Sequence, residues 1–422
     1  MDYKSLVVSI LLLFAIGFVY DKFKINIDRD EKKEELDIIR KYLLNDRDYY
    51  TIDQLSSINK PILWIHLEYD INSRKWESFG SRNTRELNQD YLYLTLRSII
   101  NKCSDYFHVV MIDDDSFSKL LDSWKINLKI ISDPQKDYFR KLGLTRILCK
   151  YGGIMIEPSF ILFKSLQKIY EKISSENKMT VAEFPNDSMD SYLMNFMPST
   201  KFMGCTKNCP KMIEFSNYLE HLYSNDYSEN IKADNLVDKW LLKKISAGEI
   251  NYINGKFIGT KDNNNQNIGL DMLVGNSNLE LANDVYGLYI PRLDLLKRNA
   301  YNWFVSLNSK DVLLSDTNIG KYLLISNNKC VIIDPGNYYS NENLALENFI
   351  KENSIEPEFI LITHAHIDHV LGIKYLSDLY QVETFIPSIE KNMYENMKSI
   401  IDHNLNVLEN NRNIPNILKF IK

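Results

Sequence analysis

Three of the seven histidines in this chain fall in one short run, Thr363-His364-Ala365-His366-Ile367-Asp368-His369. The run follows Phe359-Ile360-Leu361-Ile362, an apolar stretch that reads as a buried strand. A strand ending this way gathers several neutral imidazoles and one carboxylate on a single loop. That donor set suits a borderline ion such as zinc (Zn2+), which takes nitrogen and oxygen ligands. His364, His366, Asp368 and His369 are therefore the candidate metal ligands. A second acidic group, Asp113-Asp114-Asp115, directly follows the apolar run Phe107 to Ile112. These carboxylates either hold Mg2+ or Mn2+ against a diphosphate or form a solvated turn capping a helix that starts near Ser116. The five cysteines are scattered and odd in number, which is not a disulfide framework. Cys205 and Cys209 could bridge or bind metal, but no matching second pair completes such a site.

The elements that must position these residues read as α/β. Pro61 to His66 and Phe107 to Ile112 are strand candidates, Tyr91 to Ile100 has helical spacing, a third strand is expected at Leu128 to Ile131, and a helix around Lys141 to Lys150. Strand–helix alternation at this spacing argues for a mostly parallel sheet covered by helices, whose ligands sit at the carboxyl ends of the strands. Asp113 to Asp115 lie at such an end. The polar stretch Asp262 to Asn267 reads as a loop, with Lys261 and Asp262 expected to face the pocket. Further on, Tyr322 to Ser326, Asn327-Asn328 and Cys330 to Ile333 read as a β-hairpin. A helix over Asn341 to Asn353, the strand before the histidine loop, a helix over Val370 to Tyr380 and a strand over Glu383 to Ile386 complete the pattern.

The composition, 45% hydrophobic and 25% charged, is that of a globular chain, and 422 residues suit two domains plus accessory segments. A net charge of −6 gives no basic footprint for nucleic acid. Residues 1–5 form a short tail. Residues 6–20 are an uncharged run that reads as an uncleaved transmembrane helix, and the highly charged segment over 21–58 as a helical stem. These imply a single-pass membrane protein; lysines on both sides of the run leave its orientation open. Asn186-Asp187-Ser188 is one glycosylation sequon, too common to settle topology.

Leu144 to Lys164 (LTRILCKYGGIMIEPSFILFK) resembles the core of capsular polysaccharide synthesis-type glycosyltransferases, which have an A-type fold. In that family an Arg-bearing helix runs into Tyr-Gly-Gly, a strand and an Asp-x-Asp pair. Arg146, Tyr151, Gly152 and Gly153 match; the carboxylate pair reads Glu157-Pro158-Ser159, so one acid is kept and the other is replaced. The resemblance extends loosely from Pro61 to Phe304, through Asp113 to Asp115, Phe202-Met203-Gly204-Cys205 and Tyr289-Ile290-Pro291. It implies a divalent metal, Mg2+ or Mn2+, a nucleotide-sugar donor and a glycan acceptor, with Asp113, Asp115, Arg146, Gly152, Gly153 and Glu157 as site candidates.

Residues 318–390 closely resemble the N-terminal half of metallo-β-lactamase-fold hydrolases, above all the glyoxalase II-like thioesterases. The matching pieces are Val331-Ile332-Ile333-Asp334-Pro335-Gly336 and the Thr363-to-His369 loop with Gly372 after it. The resemblance implies that His364 and His366 bind one metal, that Asp368 and His369 bind a second, and that Asp334 supports the loop from behind. A full site takes further ligands from the second half of that fold, and after His369 the chain offers only His403.

The reading is then a membrane-anchored, glycosyltransferase-like domain (59–312) followed by a partial αβ/βα metallo-β-lactamase-like half-domain (313–422). A partial fold leaves one apolar sheet face to cover, which implies docking on the first domain, on a second chain or on another copy. The rival readings are a zinc hydrolase completed by a partner half and a non-catalytic, membrane-tethered glycan-binding protein.

Overall fold

The computed structural model describes residues 41–44, 59–68, 89–186, 195–224, 230–326, 329–337, 339–352, 355–394 and 419–421. The tail 1–5, the run 6–20, most of the stem, the last two sequon residues and His403 lie outside the described residues. The chain divides into two compact units, 1–319 and 320–422.

The first unit is built on a six-stranded sheet of order β2-β1-β3-β6-β5-β7. Its strands are β1 (Ile62–His66), β2 (His108–Ile112), β3 (Gly153–Ile156), β5 (Thr180–Pro185), β6 (Phe196–Cys205) and β7 (Asn251–Ile253); β4 (Phe160–Leu162) pairs with β8 (Gly287–Tyr289) in a separate ribbon. All five residues of β1 are buried, as a strand covered on both faces requires, and β1 runs parallel to β2 and β3. The sheet is mostly parallel, as expected: of its six strands β6 alone is reversed, entering antiparallel between β3 and β5.

The helix Gln135–Tyr151 feeds β3 through Gly152, whose φ of 71° supplies the left-handed turn that closes the helix. Gly153, at φ 106°, lies so close to β1 that an added Cβ would meet Ile62 O at 2.1 Å. The glycine pair thus allows the parallel β1–β3 contact, and the indole of Trp64 donates to Gly152 O at 2.9 Å beneath it.

The second unit is a four-stranded, fully parallel sheet of order β12-β11-β10-β9: β9 (Lys329–Ile333), β10 (Glu356–Leu361), β11 (Glu383–Pro387) and β12 (Lys419–Ile421). Helices Ser340–Glu352 and Ile373–Tyr380 join the strands, and Ile332, Ile350, Ile360, Ile362, Ile373, Leu376 and Ile386 form its core.

Four expectations are corrected. Leu128–Ile130 is a 3-10 turn, not a strand: the Asn127 side chain accepts from Lys129 N, and Ile130 is 82% exposed, with no strand to cover it. Asn318–Ser326 is helical, so the expected hairpin is a helix followed by β9, which pairs in parallel with β10. An apolar run of that length fits either period, and the helix takes it. At the end of the expected helical stem, Leu43 instead bridges Met111 beside β2. Finally, the single-pass membrane placement is overturned: among the described residues, no helix is long and apolar enough to cross a membrane. The longest, Gln135–Tyr151 and Asn230–Ser246, have 17 residues each and carry many charges, short of the roughly 20 apolar residues a span needs.

Candidate metal centre

Two adjacent parallel strands, β9 and β10, end side by side, and their carboxyl ends carry the loop chemistry. The backbone of β9 leaves the sheet at Asp334, whose φ of 47° turns the chain in the left-handed region that Asp tolerates. Its N–H still donates to Leu361 O at 2.9 Å, so the carboxylate is held at the end of β10. There Asp334 Oδ1 accepts the Thr363 N–H at 2.7 Å, and Oδ2 accepts the Thr363 hydroxyl at 2.5 Å. Burial works to raise the Asp334 carboxyl, but the two Thr363 donors and His369 outweigh it and hold it below the usual carboxylate range.

This arrangement sets the His364 tautomer. The Thr363 hydroxyl spends its one proton on Asp334, so at 3.0 Å from His364 Nδ1 it accepts, and the His364 proton sits on Nδ1. His369 Nδ1 lies 3.0 Å from Asp334 Oδ2; the distance is that of an ion contact, but the angle makes no hydrogen bond, and the nitrogen is otherwise buried without a partner. The His364 ring thus presents its Nε2 lone pair away from Thr363.

Asp334, His364 and His369 each offer a ligand atom within 4.8 Å of the others, the one such convergence among the described residues. The oxygens of Asp334 are already bonded to Thr363, so its part is to orient the rings. The His364 and His369 ring centroids are 4.0 Å apart, those of His364 and His366 4.6 Å. Asp368 Oδ2 is 3.7 Å from His369 Nε2. A lone pair and a carboxylate at that separation repel unless a cation or a proton lies between them. The donor set therefore fits a borderline metal ion.

Two residues the sequence reading did not single out complete the frame. Thr363 is the hub, and Glu390, after β11, accepts the Ala365 N–H at 3.1 Å between the first two histidines. Two glycines let the loops interlock: a Cβ on Gly336 would meet Asp368 O at 1.6 Å, and Gly372 N donates to Pro335 O at 2.6 Å.

In the first unit the strand ends gather charge differently. Asp113 Oδ1 caps the helix Ser116–Leu120, accepting Ser116 N at 3.0 Å and its hydroxyl at 2.7 Å. Asp114 accepts two bonds from Arg140, at 2.9 and 2.7 Å, and lies 3.0 Å from His66 Nε2. Asp115 pairs with Lys129 at 2.9 Å. Glu157 accepts the Tyr289 hydroxyl at 3.1 Å; burial raises its carboxyl despite Lys201 and Arg292 nearby. Glu68 lies 3.2 Å from Arg292. Arg146 is not brought to this cluster and pairs with Glu220 on the helix Pro210–Ser224; Arg140, six positions earlier on the same helix, is the arginine at the strand ends. Gly152 and Gly153 shape the β3 turn. Lys261 is not in this cluster either: it pairs with the buried Glu183 at 2.6 Å, while Asp262 accepts the N–H groups of Asn264 and Gln266 and so closes the polar loop. The acids that were candidates for Mg2+ or Mn2+ are thus already matched to cations, a helix cap or a hydroxyl, and the donor set does not fit a divalent ion.

Residues 320–399 match the family model of the metallo-beta-lactamase superfamily. The probable metallo-hydrolase YqgX of Bacillus subtilis is 35% identical over 71 residues, 17% of this chain and 32% of that protein. The hydroxyacylglutathione hydrolase of Francisella philomiragia is 40% identical over 60 residues, 14% of this chain and 22% of that protein. The chain thus spans a third or less of these relatives. Among solved structures, the apo-form glycosyltransferase GlyE of Streptococcus pneumoniae aligns over 81% of this chain and 99% of its own at 12% identity and a TM-score of 0.30. The PaToxG glycosyltransferase aligns over 53% and 80% at 13% identity and a TM-score of 0.27. At such TM-scores the likeness carries no argument.

Two outcomes follow from this geometry. Thr363→Val keeps the side-chain shape but removes the hydroxyl that links Asp334 to His364; zinc affinity should fall about 10- to 100-fold, read by competition with a chromophoric chelator, and an unchanged affinity would remove Thr363 from the centre. For Asp114, burial acts to raise the carboxyl, but His66 and Arg140 hold it well below the usual range. Its stabilisation is therefore complete above the unfolded value of about 3.9 and is lost as the pH falls below it. Asp114→Asn, which takes away the two-bond partner of the buried Arg140 and leaves it only Asp137 at 3.4 Å and Glu68 at 3.6 Å, should cost about 1–3 kcal/mol near neutral pH. Urea unfolding should show that deficit shrinking near pH 3; a constant deficit would deny the pair its role.

Proposed function

We propose that the unit 320–422 is a zinc-binding hydrolase module of the metallo-β-lactamase type, acting on an ester or thioester carbonyl. The observation that carries this reading is the paired orientation of His364 and His369, whose Nδ1 atoms face Thr363 and Asp334 and whose Nε2 atoms are left for a metal. In this reading His364 and His366 hold one ion, and Asp368 and His369 hold a second. When bound, zinc supplies a Lewis acid and a water acidic enough to ionise near neutral pH. Thr363 keeps the His364 ring in the binding tautomer, Asp334 holds Thr363 and lies 3.0 Å from His369 Nδ1, and Glu390 fixes the backbone between His364 and His366. Asp368 is 75% exposed and so stands on the open side of the loop, where its carboxylate can reach the second ion.

The relatives named for hydroxyacylglutathione hydrolysis make a hydroxyacyl thioester the substrate to try first. Purified protein should carry at least about one zinc per chain, lost on His364→Ala together with His369→Ala, and zinc-loaded protein should cleave the thioester. Substoichiometric zinc in the unsubstituted protein would end this reading.

A second reading rests on a separate observation: the carboxyl ends of β1, β2 and β3 bring Glu68, Asp114 and Glu157 to one place. In an α/β sheet, ligands are held at such ends. We infer that the unit 1–319 transfers a sugar from a nucleotide donor to a glycan, of the capsular polysaccharide type, with Glu157 beside the reacting sugar. Release of nucleotide from a panel of nucleotide sugars should fall at least about 100-fold in Glu157→Gln; an undiminished rate would exclude Glu157 from the chemistry.

A further inference from the structure

The strand-end cluster of the first unit has unmet needs of one sign only. Its acids are bonded: Asp114 to Arg140 and His66, Glu68 to Arg292, and Glu157 to Tyr289. Its donors are not. Arg292 is 3% exposed, and its Nε and Nη1 make no hydrogen bond; only Nη2 reaches Glu68. Ser159 is fully buried, and its hydroxyl is likewise unpartnered. The two segments meet in the fold, since Ile290 N donates to Ser159 O at 3.0 Å and Arg292 follows Ile290 by two positions. Lys201 adds a further positive group, 5.5 Å from the centroid of the Tyr289 ring that bonds Glu157. A buried donor without an acceptor costs about 1–3 kcal/mol, so leaving several together is expensive unless a ligand completes them. The buried side-chain atoms of this cluster left without a partner are donors, which an oxyanion would complete.

We propose that Arg292 and Ser159 form an oxyanion site that holds the diphosphate of a nucleotide without a divalent cation. The proposal rests on the transferase reading for the nucleotide part alone. It also gives a physical sense to the sequence Glu157-Pro158-Ser159: a serine hydroxyl donates to an anion where a second carboxylate would have gripped a metal. Arg292 presents a planar fork of N–H groups suited to two oxygens of one phosphate, which a lysine cannot imitate.

The test is calorimetric titration of the full chain with uridine diphosphate and with inorganic pyrophosphate, each in excess EDTA and in Mn2+. Binding of both in EDTA, unchanged by Mn2+ and weakened at least about 30-fold in Arg292→Gln and in Arg292→Lys, supports the site. Binding of uridine diphosphate that requires Mn2+ overturns it and leaves the transferase reading standing. Metal-independent binding of pyrophosphate with no gain from the nucleoside supports the oxyanion site and counts against the transferase reading. No binding of either ligand overturns both. A thermal melt of each Arg292 variant that matches the parent excludes unfolding as the cause of lost binding. Equal affinity in Arg292→Gln and the parent overturns the assignment.

Discussion

The carboxylate of Asp334 accepts both the amide and the hydroxyl of Thr363, and the chemistry of the second unit hangs on that double bond. Parallel strands end with unpaired backbone groups, and the loops that leave them are otherwise free to wander. Here the end of β9 is tied to the end of β10 by an ionised acceptor, the strongest kind of hydrogen-bond partner a side chain offers. Because a hydroxyl has one proton to give, the same bond decides where the His364 proton lies. A structural tie and a choice of tautomer are therefore one event, and the interlocked glycines Gly336 and Gly372 keep the two loops close enough for it.

The two units use the same architectural position, the carboxyl end of a parallel strand, to opposite electrostatic ends. At the histidine loop the groups without partners are acceptors, namely ring lone pairs and the exposed Asp368, and a cation relieves their mutual repulsion. At the ends of β1 and β3 the acids are already neutralised by arginines and by a tyrosine, and the groups without partners are donors. Counting unmet donors and acceptors separates the two sites more sharply than counting acidic residues does. The triplet Asp113 to Asp115 illustrates this: three adjacent carboxylates point to a metal on composition, yet one caps a helix, one is clasped by Arg140 and one pairs with Lys129.

What was legible in advance was legible for local reasons. The strands β1, β2, β10 and β11 and the helices between them follow from apolar runs and helical spacing within a few residues, and so do the histidine loop and its Asp334 companion. The errors are all failures of distant information. The run before β9 suits a helix or a strand equally, and only the parallel partner β10 decides that a helix precedes it. Leu128 to Ile131 has the composition of a strand but no sheet edge to join. The sheet of the first unit reads as mostly parallel from its strand–helix alternation, and it is, save for β6, which turns back from β5 and pairs antiparallel with both β5 and β3. Arg146 stood nearer the glycine pair than Arg140, but the turn of the helix sends Arg146 to Glu220 and Arg140 to the strand ends.

By itself the sequence determined the donor types: three imidazoles and two carboxylates on two short segments, a metal-ligating set whatever the fold around it. It also determined Gly153, where a φ of 106° coincides with an approach to β1 that leaves no room for a Cβ. The tertiary structure alone decided which of these groups are free to act. Whether a carboxylate is a ligand or a helix cap, and whether an arginine has donors to spare, depends on neighbours tens or hundreds of residues away in the chain. Partner satisfaction is a property of three-dimensional contact, and no spacing along one segment encodes it.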